Sequence, residues 1–129
     1  MKDLRSPLAK VKGLGADGHG STEHFWVQRL TALGLVPLVI WLCISLAFLP
    51  EATYETVIAW LRSPFNAIMM ITLVIVSLQH AHLGIQVIIE DYVSDHAKRL
   101  AGILVVKFLS YFLMIVGVYS IIKITLGGV

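Results

Sequence analysis

The chain has 129 residues, of which 57% are hydrophobic and 14% charged. A water-soluble domain carries charge at about a quarter of its positions, so too few polar side chains exist to cover a soluble globule, and the apolar surface must face lipid. The net charge of +2 offers no basic field for nucleic acid, and the single cysteine, Cys43, lies in an apolar run without a partner for a disulfide or a zinc site.

Residues 1–22 are polar, basic and glycine-rich, which predicts a flexible cytoplasmic segment ahead of a transmembrane domain over 23–129. Gly13-Leu14-Gly15-Ala16-Asp17-Gly18 matches the GxGxxG spacing of dinucleotide sites. That motif works only between a buried strand and a helix of a βαβ unit, and neither is present around it. No apolar core of a removable signal occurs before residue 24, and Asp3, Asp17 and Glu23 interrupt any transit-like sequence. The expectation is a protein of the bacterial cytoplasmic (inner) membrane.

The first uncharged run, about 30–49, is long enough to cross ~30 Å of hydrocarbon. Pro37 lies inside it, which membrane helices tolerate when neighbours satisfy the freed carbonyl, and Pro50 marks its exit. Residues 51–62 form a connection in which Tyr54 and Trp60 suit an interface, on a short amphipathic surface helix. Ser63 as N-cap and Pro64 at the first helical position open the second span, about 64–90. A turn at Ser94-Asp95-His96 follows, with Asp95 placed to cap the third span, about 100–126. Lys107 lies some two turns inside that span and can snorkel to the headgroups. Gly102 and Gly117 predict close helix contacts there. The fold class is an all-α membrane protein with three transmembrane helices.

Lys2, Arg5, Lys10, Lys12 and Arg29 precede the first span, only Arg62 lies in the first connection, and Lys98 and Arg99 lie in the second. The positive-inside rule places the N-terminus cytoplasmic and the C-terminus periplasmic.

Two histidines inside the second span require an explanation, because a polar ring in hydrocarbon is unfavourable without a partner. His80 and His82 are about 200° apart around a helix and cannot share one metal ion. Each imidazole is either a ligand for a metal or haem iron, or a hydrogen-bond partner of a neighbouring helix. Asp91 lies within about 20° of the His80 face and roughly 16 Å further along the helix axis. Gly84, on the same face, leaves room for a flat ring or a second helix. One face thus carries an imidazole within the bilayer and an acid–phenol pair, Asp91 and Tyr92, at its border.

Gln79-His80-Ala81-His82-Leu83-Gly84, continued to Glu90-Asp91-Tyr92-Val93, resembles the H-A-x-x-G-x6-D-Y-V signature of the smaller membrane anchors of succinate dehydrogenase, respiratory complex II. The segment from Glu23 to Ala32 is similar to the pre-helix stretch of alphaproteobacterial and mitochondria-like members, and the resemblance runs from about residue 21 to the end. It implies half of a heterodimeric haem-binding helix bundle. One haem b is held between two histidines, one per anchor subunit, and here the axial ligand is His80. His82 stands where relatives often carry an aromatic residue and is not assigned. Tyr92 hydrogen-bonds ubiquinone, the substrate, with Asp91 in support. Arg29 and His24 contact the haem propionates, though the same arginine also suits a lipid phosphate.

The implied partners are a second anchor of cytochrome b type, an iron–sulfur subunit and a flavoprotein subunit, serving the respiratory chain and tricarboxylic acid cycle. The chain is not expected to oxidise succinate itself. Two rival readings stay open: a cofactor-free structural anchor, and a small proton-coupled transporter relaying through His80 and Asp91. The three-span layout lacks the repeat pairing usual for transporters.

Overall fold

The computed structural model of the protein describes residues 19–128. Residues 1–18 of the N-terminal segment, with the glycine motif, lie outside the described residues; from His19 the backbone is helical.

Four helices follow one another: α1 (His19–Ala47), α2 (Tyr54–Arg62), α3 (Pro64–Tyr92) and α4 (His96–Thr125). Helix α1 starts well before its uncharged run, because nothing between Glu23 and Arg29 breaks a helix; Pro37 lies inside it. Helix α2 is the short amphipathic element expected in the first connection. The Thr53 hydroxyl accepts from the Thr56 N–H at 3.3 Å and the Thr56 hydroxyl from the Thr53 N–H at 3.1 Å, a reciprocal cap that satisfies two otherwise orphaned donors.

The start of α3 departs from the expected serine cap. Ser63 holds the N-cap position, but its side chain makes no capping bond. Pro64 supplies the pre-set φ and has no N–H to satisfy. The Asn66 amide donates to the Trp60 carbonyl at 2.9 Å, tying the last turn of α2 to the first turn of α3. At α4 the expected cap is present: the Asp95 carboxylate accepts from the Ala97 N–H at 3.0 Å. The Arg99 guanidinium donates to the Val93 carbonyl at 2.9 Å and closes the α3–α4 turn.

Helix α3 is central. It packs against α1 on one side and α4 on the other, while α1 and α4 do not approach each other among the described residues. At the α2 end, Leu61, Ala67 and Ile121 form a small core, with Trp60, Met70 and Val74 against it. Trp41 of α1 stacks on Trp60, ring centroids 5.6 Å apart. Close packing is sharpest where Gly117 meets Val74: a Cβ at Gly117 would sit 2.9 Å from Val74 Cγ1. A Cβ at Gly102 would meet Ile89 at 3.4 Å.

The segments Glu23–Ala47, Pro64–Tyr92 and His96–Thr125 are each long and apolar enough to cross a membrane. Few of their side chains are buried within the chain. Leu33, Phe108 and Ile115 are each about two-thirds exposed or more. Such a surface is stable only against lipid or other apolar helices.

Candidate functional site

His80 lies mid-way along α3 on the side facing α1, half-buried. Its Nδ1 is 3.1 Å from the hydroxyl of Thr31 on α1. That hydroxyl is also 2.8 Å from the Val27 carbonyl and 3.0 Å from the Gln28 carbonyl, both in its own helix. Among the described residues, no hydrogen bond engages His80 Nε2.

His82 has the opposite surroundings. It is buried, 4% exposed, against α4, with its ring centroid 6.3 Å from that of Tyr111. Its Nε2 is enclosed without a hydrogen-bond partner among the described residues. The two histidines thus serve two interfaces, as their angular separation on a helix requires.

Beyond His80, toward the α3–α4 turn, α1 and α3 separate into a cleft of about 510 Å³. His24, Phe25, Gln28 and Arg29 line it from α1, and Leu83, Gln86, Val87 and Glu90 from α3. The structure therefore brings the two basic residues, Arg29 and His24, to one mouth. The Arg29 guanidinium lies 4.5 Å over the Phe25 ring, a cation–π contact that leaves the in-plane N–H groups for oxygen acceptors. On the facing helix, Gln86 donates to the Glu90 carboxylate at 2.8 Å. Leu83 and Val87 give the cleft apolar walls, and Arg29 and Glu90 put both signs of charge in its lining, so it suits an apolar body with a polar end.

His80 is not among the residues lining this cleft. Gly84, on the His80 face, lies beneath Gln28, whose amide nitrogen is 3.6 Å from where a Cβ would stand. The room left by this glycine is thus used by α1. Asp91 and Tyr92 stand apart from the cleft at the end of α3, both exposed, Tyr92 to 85%. Any site they form needs walls from another chain. No group of three or more metal-ligating side chains occurs among the described residues, so a metal held through His80 needs further ligands from elsewhere.

Sequence reasoning passed over Thr31, Gln28 and Gln86. Thr31 carried a usable signal, a hydroxyl just inside an apolar run and two residues after Arg29. Gln86 carried another, lying four residues before Glu90 on one helix face.

Comparison with known proteins decides the family. The family model described as succinate dehydrogenase/fumarate reductase transmembrane subunit matches residues 2–117. The chain belongs to this family. The succinate dehydrogenase hydrophobic membrane anchor subunit of Rickettsia bellii is 38% identical over 108 residues, which is 84% of this chain and 86% of that protein. The corresponding subunit of Paracoccus denitrificans is 27% identical over 124 residues, 96% of this chain and 95% of that protein. The succinate dehydrogenase membrane anchor subunit of Reclinomonas americana is 29% identical over 94 residues, 70% of this chain and 78% of that protein. No solved structure matches the chain. The protein is thus a multi-pass membrane anchor subunit of succinate dehydrogenase.

Proposed function

We propose that this anchor subunit binds haem b through His80, together with a histidine of a second anchor of cytochrome b type, and forms part of the ubiquinone-reduction site through Tyr92 and Asp91. The observation that supports this reading most is the state of His80. Its Nδ1 is engaged by Thr31, and no described residue engages Nε2. A ligating histidine ordinarily has this arrangement, one nitrogen for the metal and the other held by a hydrogen bond. Bound there, haem b supplies a one-electron couple inside the bilayer.

The rest is chemistry of this chain's own side chains. Arg29, with His24 beside the same cleft, offers positive charge for propionate carboxylates. The Tyr92 hydroxyl donates a hydrogen bond to a quinone carbonyl, and Asp91, its neighbour at the exposed end of α3, supports the site. The iron–sulfur and flavoprotein subunits would cover this exposed end, which the positive-inside rule assigns to the cytoplasm of a bacterial inner membrane, with the C-terminus periplasmic. The segment ahead of the first span would lie on that same side.

The Thr31 bond also suits a cofactor-free anchor, since it gives the imidazole a partner within the chain. Purified wild-type complex separates the two readings. A reduced-minus-oxidised b-type spectrum is expected, and His80→Ala should abolish it. A spectrum that survives this substitution removes the ligand assignment. Tyr92→Phe should lower succinate-dependent quinone reduction by tenfold or more, in the range set by losing one positioned hydrogen bond. Reduction of a soluble dye should stay near wild type.

A further inference from the structure

We propose that Thr31 is a positioning residue for His80, setting which imidazole nitrogen carries the proton. The inference rests on the haem reading above and adds a residue to it. A threonine hydroxyl has one proton and two lone pairs. Two carbonyl oxygens lie within hydrogen-bond distance of the Thr31 hydroxyl, Val27 at 2.8 Å and Gln28 at 3.0 Å, and carbonyls can only accept. A helical threonine ordinarily gives its proton to a carbonyl of the preceding turn. His80 Nδ1, at 3.1 Å, then donates its proton to the oxygen.

A neutral imidazole protonated at Nδ1 has its lone pair at Nε2. That is the nitrogen with no hydrogen bond among the described residues, and the one left to coordinate iron. The threonine does two further things. It ties the ring to α1, so that ring orientation and the α1–α3 packing move together. It also increases the basicity of the ligand, because an imidazole that donates a hydrogen bond through one nitrogen pushes electron density to the other. A more basic ligand favours ferric over ferrous iron.

The test uses the complete purified complex carrying Thr31→Val, Thr31→Ala or Thr31→Ser, with haem content read from the b-type spectrum and midpoint potential from a redox titration. Valine keeps the shape of threonine without the acceptor; alanine is the second variant should valine disturb assembly. Both should retain haem and raise its potential. The expected change is about tenfold in the ferrous-to-ferric ratio at a given applied potential, or about 59 mV for one electron. Serine should restore the wild-type value. Unchanged potentials in both valine and alanine overturn the proposal, as does an equal shift in serine, which would mark a packing effect. Failure of the haem reading is separately visible as a wild-type complex without a b-type spectrum, or as a spectrum that persists in His80→Ala.

Discussion

The two faces of α3 are built on different rules. Toward α4 the packing is tight and almost wholly apolar: Gly117 admits Val74, Gly102 admits Ile89, and His82 is enclosed against Tyr111 with one nitrogen unsatisfied. Toward α1 the packing is looser and polar: a threonine–imidazole bond, a cleft, and a glutamine whose carbonyl oxygen also lacks a partner. In a bilayer, helices gain little from burying apolar surface against each other, because lipid is as apolar as leucine. Close van der Waals fit therefore holds α3 to α4, whereas the α1 side trades fit for polar groups that chemistry can use. A helix pair that must stay together and a helix pair proposed to accept a ligand need different surfaces.

The sharpest way to break this comparison is to exchange the roles of the two histidines. His80→Ala removes the expected iron ligand, and the b-type spectrum should vanish. His82→Phe should leave that spectrum intact. It replaces an enclosed, unpaired nitrogen with an aromatic ring of similar size, so the complex should be unchanged or more stable by about 1 kcal/mol, read as an equal or higher melting temperature. A spectrum lost on His82→Phe and kept on His80→Ala would invert the assignment of the two faces.

The next effect lies in the glycines. Gly117→Ala places a methyl 2.9 Å from Val74 Cγ1. Valine is stiff at χ1 and cannot swing away cheaply. The expected cost is about 1–3 kcal/mol of overpacking, and Val74→Ala in the same chain should relieve most of it. Gly34→Ala on the α1 side meets Val76 Cγ1 at an ordinary 3.8 Å. It should be neutral, or stabilising by up to about 1 kcal/mol through helix propensity. Thermal unfolding of the purified complex measures all three. Equal losses at Gly117 and Gly34 would mean that the two interfaces are packed alike.

These particulars also show what the sequence could reveal. Three spans were legible because side chains facing lipid must be apolar, and that requirement shows in the long apolar runs inside α1, α3 and α4. Asp95 and the Gly117 contact were legible for local reasons, a cap one residue before a helix and a missing side chain within one. The helix ends were less so: hydropathy reports contact with lipid, and α1 continues as a helix from His19, outside the uncharged run. Thr31 was legible as a hydroxyl at the edge of the apolar run, but its bond to His80 was not. That bond joins residues 49 apart, and a threonine in a helix ordinarily bonds to its own backbone, which Thr31 also does. Gly84 shows a similar limit, since composition cannot tell whether the space it leaves receives a ring or, as here, the Gln28 side chain of α1.

The smallest effect concerns the turn that joins the two faces. Asp95 caps α4 through the Ala97 N–H, and Arg99 reaches back to the Val93 carbonyl next to Asp91 and Tyr92. The same few residues thus end the helix that carries the proposed quinone pair and begin the helix that anchors α3. Asp95→Ala should cost about 1 kcal/mol through the lost cap. The Lys98–Asp95 pair, 3.9 Å apart and exposed, should add almost nothing, because surface ion pairs are weak. Asp95→Asn separates these causes, since asparagine caps as well as aspartate but carries no charge. A melting temperature near wild type for asparagine and lowered for alanine would assign the effect to the cap. A fall for both would assign it to charge, and the turn would then be held by electrostatics from α4 and not by backbone geometry.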